Sequence, residues 1–235
     1  MTGPVLELRN VLKNYGGLRP LRIRMLSIAP GERVAIGGVD AGAAEILVNL
    51  VTGATLPDEG SVTTFGKYTA DISNGDEWLA SLDAFGIVSP RAVMLDAATV
   101  QQNLAMPFTL EIDPVPADIA TKVEILATEC GIAAGDLSRR AGEQGATIRA
   151  RVHLARAVAL NPKLLVLEHP TAGIADADKI GLAKSAAAVA QARQLAMLAI
   201  TQDLEFAETL AHRPLALEPA TGALVPWRKK RGWFR

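Results

Sequence analysis

Val34-Ala35-Ile36-Gly37-Gly38-Val39-Asp40-Ala41-Gly42-Ala43-Ala44-Glu45-Ile46-Leu47 is the stretch whose reading decides the fold. An apolar, strand-like run enters a loop of glycines and small residues, and over 43–50 the apolar positions take helical spacing, with Gly53 placed to end the helix. Upstream, residues 5–11 and 21–28 alternate apolar and polar side chains as half-buried strands do, and Pro30-Gly31 turns the chain into a third strand at 32–37. Strands joined by such short loops are expected to pair antiparallel. Downstream, the turn Pro57-Asp58-Glu59-Gly60 precedes a short strand at 61–65. Further strands are expected at 85–88, 163–168, 196–201 and, as the last, 214–217. Between them lie helical runs at 99–105, 117–130 (with Pro116 placed for its first position), 147–160, 176–195 and 204–211. Apolar strands alternating with helices predict an α/β fold with a mostly parallel sheet covered on both faces, beside an antiparallel β region near the N-terminus. Residues 66–141 are more helical and read as a subdomain inserted into that sheet, so residues 1–226 form one domain.

Composition narrows the function. With 49% apolar and 21% charged residues among 235, the chain is neither disordered nor fibrous. Its 24 basic and 25 acidic residues nearly cancel, so charge gives no argument for nucleic acid as a partner. The single cysteine, Cys130, fits a reducing compartment, and no long apolar stretch is free of charges. Met1-Thr2-Gly3-Pro4 lacks the start of a signal peptide, which points to a cytoplasmic protein. Only at residues 227–235 does composition shift, to five basic residues, two tryptophans and no acid. Cations beside tryptophan suit an anionic membrane surface.

The quoted stretch has the strand, loop and helix of a phosphate-binding loop, G-x-x-x-x-G-K-[ST]. Setting the first glycine on Gly38 puts the second on Ala43, the lysine on Ala44 and the hydroxyl residue on Glu45. Tyr15 precedes it in Asn14-Tyr15-Gly16-Gly17. Far downstream runs RVHLARAVALNPKLLVLEHPTAG, residues 151–173. This order and this last stretch closely resemble the nucleotide-binding cassette subunits of ABC transporters, over roughly residues 6–217. Residues 99–110 (TVQQNLAMPFTL) are similar to exporters of the lipoprotein-release type.

The resemblance implies a P-loop cassette fold, ATP and Mg²⁺ as cofactors, a permease as membrane partner, and a homodimer or heterodimer of cassettes. It implies nucleotide contacts at Tyr15, Gly38, Asp40, Gly42, Ala43, Ala44, Glu45 and Ile46. Position by position, the chemistry has been exchanged. Ala44 cannot neutralise phosphates. Glu45, a carboxylate expected at the N-terminus of a helix, stands there in place of a phosphate, is an ordinary first-turn glutamate, or ligates Mg²⁺ itself. Pro90 falls on the glutamine-loop position, Glu168 on the Walker B acid, His169 on the general base, Ala175 on the D-loop aspartate and Gln202 on the switch histidine. The signature motif falls on Gln144-Gly145-Ala146-Thr147-Ile148, with Gly145, Ala146 and Thr147 at its centre; Leu137-Ser138-Arg139-Arg140 lies too early to be that motif. His169 either accepts a proton as a neutral imidazole or merely caps a strand. Tyr15 either stacks on a base or packs on the surface. Since each ATP of the family sits between one subunit's P-loop and the other's signature, a chain lacking both compromises both sites of any dimer. Three functions follow as expectations: a non-hydrolysing member of an ABC transporter at the inner membrane face, with ATP and Mg²⁺ bound weakly or not at all and no metal site of its own; an active ATPase with altered residues; or a free-standing regulatory adaptor.

Overall fold

A computed structural model describes residues 3–228. In chain order its elements are β1 (Leu6–Lys13), β2 (Leu21–Ile28), β3 (Arg33–Gly37), α1 (Ala41–Val51), β4 (Glu59–Thr64), β5 (Lys67–Tyr68), α2 (Gly75–Leu82), β6 (Phe85–Val88), α3 (Val100–Ala105), α4 (Ala117–Glu129), α5 (Ala146–Val158), β7 (Leu164–Glu168), α6 (Asp176–Ala192), β8 (Ala196–Ile200), α7 (Leu204–Leu210), β9 (Arg213–Glu218) and β10 (Ala223–Pro226). They form two sheets, an antiparallel one ordered β2-β1-β4-β5 and a larger one ordered β10-β9-β3-β8-β7-β6. The larger sheet is parallel from β9 to β6, with β10 antiparallel at its edge. The fold is α/β, as the alternation of strands and helices implies.

Where the chain leaves one sheet for the other is set by patterning. β2 alternates buried and exposed residues and stays in the half-covered antiparallel sheet. In β3, Val34, Ala35, Ile36 and Gly37 are all buried, and a strand with no polar face needs cover on both sides. The expected antiparallel pairing of β2 with β3 is therefore wrong. Through a turn with Gly31 at φ +70°, β3 leaves its neighbour and pairs parallel with β8 and β9. Every residue of β7 and β8 is buried, so these strands form the centre of the molecule.

Several boundaries shift. Pro116 occupies the N-cap of α4 rather than its first turn. α2 went unseen because it is one short stretch with no buried residue, started by the Asn74 side chain accepting from the Glu77 N–H. A strand also follows the one expected last: β10 pairs with β9 through a turn with Gly222 at φ +71°. Within residues 66–141, β6 pairs with β7 and belongs to the main sheet, whereas α3 and α4 pack on each other and on α5. Cys130 is buried there, and burial pushes its thiol up to about 12, which leaves it unreactive. Among the described residues, no helix is long and apolar enough to cross a membrane.

Trp227 is not part of a free tail. It is half-buried, its N–H donates to the Pro214 carbonyl at 3.0 Å, and its ring lies 2.5 Å from where a Cβ on Gly37 would stand. The rest of the expected membrane-contacting tail, residues 229–235, lies outside the described residues.

Two substitutions test this packing by urea denaturation. Trp227→Ala is expected to cost about 2 kcal/mol, below the ~3–5 of a fully buried tryptophan because the ring is only half-covered. Gly86→Ala places a methyl against the Ala157 carbonyl oxygen where β6 presses on α5, and is expected to cost about 1–3 kcal/mol by overpacking.

Candidate functional site

The sequence expectation puts the P-loop equivalent between β3 and α1, and the structure places a strand–loop–helix there. The first groups to bind the helix terminus are the chain's own. Asp40 is the N-cap of α1, its carboxylate accepting from the Ala43 N–H at 2.8 Å, and its carbonyl accepts from the Ala44 N–H, also at 2.8 Å. A capping carboxylate satisfies a donor that the helix leaves open and places negative charge at the positive end of its dipole. The expectation for Glu45 is thereby corrected. α1 has no acidic residue in its first turn, so Glu45 neither replaces a phosphate at the helix end nor serves as a first-turn glutamate; Asp40 holds that place.

Glu45 points its charge elsewhere. Arg91, in the loop between β6 and α3, donates from Nη1 and Nη2 to the two carboxylate oxygens of Glu168, both at 2.7 Å. The same Nη1 lies 3.4 Å from Glu45 Oε2. The Glu168 side chain is 1% exposed, Arg91 44% and Glu45 47%, so a buried carboxylate is closed off by a cation reaching in from solvent. Parallel N–H donors on one carboxylate make the strong form of this interaction. Arg91 was missed because its neighbour Pro90, at the glutamine-loop position, drew the reading. The available signal was chemical: the two positions that the resemblance places near a metal are both glutamates, and a cation directly follows the glutamine-loop position.

The remaining predicted residues divide. Gln202 donates from Nε2 to the Val39 carbonyl at 2.5 Å, which ties the end of β8 to the loop before α1. His169 ends β7 with a left-handed backbone, φ +44°; its N–H donates to Ile200. Its Nε2 is buried and, among the described residues, has no hydrogen-bond partner. The Tyr15 ring packs close to the first turn of α1, where a Cβ on Gly42 would stand 3.3 Å from it. Burial, then the Asp40 charge, raises the Tyr15 hydroxyl above the usual tyrosine value. Beside the ring lies a cavity of about 390 Å³ lined by Tyr15, Arg19, Arg22, Val39, Asp40 and Leu217. Ala44 is fully buried, and Ile46 packs at the edge of the same core.

The signature-position residues start α5: Gly145 is its N-cap, Ala146 its first residue, and Thr147 donates its hydroxyl to Asp178 on α6 at 2.9 Å. Ala175 caps α6. Among the described residues, no group of three or more His, Cys, Asp or Glu could hold a metal ion.

Comparison with known proteins agrees with this architecture. A lipoprotein-releasing system ATP-binding protein LolD from Pseudomonas syringae pv. tomato is 28% identical over 218 residues, covering 91% of this chain and 95% of that protein. The iron(III) import ATP-binding protein FbpC of Mesorhizobium japonicum is 27% identical over 210 residues, covering 88% of this chain and 57% of that protein. Among solved structures, the dimeric bacterial ABC transporter cassette MJ0796 superposes with a TM-score of 0.75 at 20% identity, covering 97% of this chain and 100% of that one. CbiO1 from Clostridium perfringens, part of the ABC transporter complex cbiONQ, gives a TM-score of 0.79 at 20% identity, covering 95% and 87%. A family model described as ABC transporter matches residues 21–172. With well over half of its length matched to that model, the chain belongs to the ABC transporter family.

Proposed function

We propose that this chain is a cassette subunit of an ABC transport system that partners a membrane permease without turning over ATP. ATP and Mg²⁺, which the family implies, bind weakly or not at all. One observation carries the reading: the bidentate grip of Arg91 on Glu168, with Glu45 against the same nitrogen. Magnesium takes oxygen ligands in near-octahedral array at about 2.0–2.1 Å. Here the two carboxylates at the family's metal-facing positions meet a guanidinium, and no hydroxyl stands at position 45. The residues present do not fit the ion.

Supporting points lie along the phosphate path. Ala44 supplies no cation, Asp40 satisfies the Ala43 N–H with an anion of its own, and Gly145, Ala146 and Thr147 provide no serine for a partner's nucleotide. Each missing phosphate clamp typically removes ~2.7–4 kcal/mol of barrier lowering, so losing several leaves hydrolysis negligible even without additivity. The relatives' names supply the transport role, and that of the lipoprotein-releasing protein supplies a candidate system. Pairing of two cassettes, with itself or with another, and a position at the inner face of the membrane belong to the same reading. In this reading the cations after Trp227 contact the permease or an anionic leaflet, in line with the composition of residues 228–235.

Purified full-length protein is expected to release no phosphate above background with millimolar ATP and Mg²⁺. Turnover abolished by His169→Ala would instead establish the active-enzyme reading. Separately, full-length protein is expected to float with anionic liposomes in a salt-sensitive manner, and a truncation after Arg228 to lose that flotation. Truncating at Trp227 would confuse the result by removing a packed ring.

A further inference from the structure

We propose that Arg91 is a built-in counter-cation that latches the loop between β6 and α3 onto the end of the parallel sheet, in one position and without nucleotide or metal. This deepens the functional reading above and rests on it for the loop's indifference to ATP with Mg²⁺; the anchoring of the loop by Arg91 is tested apart from turnover.

The loop is fastened at two ends to two different bodies. At its start, the Ser89 carbonyl accepts from the Ala92 N–H at 3.0 Å and the Ser89 hydroxyl accepts from the Arg91 N–H at 3.2 Å, forming a turn that aims Arg91 at the sheet. There it grips Glu168 at the end of β7 and reaches Glu45 on α1. Four residues later the attachments all go to the helical side. Asn103 on α3, fully buried, accepts from the Leu95 N–H at 2.9 Å and donates to the Leu95 carbonyl at 3.0 Å. Arg149 on α5 pairs with Asp96 at 2.7 Å, and Arg156 donates to the Val93 carbonyl at 2.6 Å. The Gly142 N–H donates to the Asp96 carbonyl at 3.0 Å. Residues 93–96 are thus rigidly part of the helical layer, and Arg91 is their side-chain link to the carboxylate end of the sheet.

The two contacts of Arg91 are unequal. Its pairing with Glu45 is long and exposed on both sides, the kind of surface pair that contributes little. Its pairing with Glu168 is bidentate on a carboxylate that is 1% exposed. Releasing the arginine would leave that charge buried and unpartnered, a costly state, so the closed position is favoured at all times. A ligand that shifts a two-state element must bind its two states differently. Here the internal cation already occupies the position such a ligand would have to take, and the loop is held in one state.

Hydrogen exchange read by mass spectrometry on the full chain tests this. In Arg91→Met, amides of residues 89–96 are expected to exchange at least about tenfold faster than in the native chain, while those of β7 and β8 keep their protection. Glu45→Gln is expected to change loop exchange by less than about twofold, in keeping with a weak exposed pair. Millimolar ATP with Mg²⁺ is expected to leave the native loop unchanged. Native-like loop exchange in Arg91→Met overturns the latch, as does slowing of the native loop by ATP with Mg²⁺. Should Arg91→Met fail to fold, Arg91→Lys, which keeps the charge but loses the parallel donors, carries the same comparison: acceleration confined to residues 89–96 supports the latch, and native-like exchange overturns it. Phosphate release by the native chain would sink the non-hydrolysing reading and leave the Arg91→Met comparison standing, so the two failures are distinguishable.

Discussion

A carboxylate at the end of a strand whose every residue is buried has to be answered by a cation. Glu168 is that carboxylate, and its partner comes from a loop that crosses from the sheet to the helical layer. Breaking a buried ion pair from one side typically costs ~3–5 kcal/mol, and the low end applies here because Arg91 is partly in water. That single constraint places the turn at Ser89, sets the direction of the loop, and brings Glu45 within range of the same guanidinium. Much of the candidate site follows from where one arginine has to stand.

The loop before α1 obeys the same logic on a smaller scale. A helix N-terminus presents open N–H groups, and an empty phosphate-binding loop would leave them to water or ligand. In this chain Asp40 takes the Ala43 N–H with its side chain and the Ala44 N–H with its carbonyl, while Gln202 takes the Val39 carbonyl from the end of β8. Two N–H groups and one carbonyl at this end are thus paired inside the protein, and the Tyr15 ring packs beside Gly42. Gln202 ties the end of β8 to the loop that joins β3 to α1, and the Asp40 carboxylate takes a helix N–H that an open terminus would present to an anion.

The fold was largely legible because burial on both faces writes long apolar strands, as at 164–168 and 196–200, and helical spacing separates them unmistakably. What could not be read were features decided by contacts far away in sequence. The exit of β3 into the second sheet depends on β8 and β9, which pair with it through Arg33 with Met197 and Val34 with Arg213 far along the chain, and α2 lacks any buried residue to give it a pattern. The helix end was misassigned because Asp40 and Glu45 are both acidic, and only the helix start at Ala41 tells which one caps it. Arg91 was invisible for a related reason. Motif matching compares like positions, and Arg91 reaches Glu168 from a position that none of the motifs covers.

His169 shows how the same reasoning bears on chemistry. A general base needs a partner that fixes its ring and tautomer, the role the third group plays in catalytic triads. At the end of β7 the left-handed backbone, φ +44°, lets the His169 N–H continue the sheet to Ile200 and its carbonyl accept from Ala172, so the residue performs a backbone task at a sharp turn. Its ring Nε2 is buried and, among the described residues, accepts from or donates to nothing. Strain of this kind often marks an active site, yet strain alone supplies neither an orienting group nor a path for a proton. The carboxylate of the adjacent Glu168 is held by Arg91 and not by the imidazole. The His169 position thus serves as a corner of the sheet, its backbone bonded to Ile200 and Ala172.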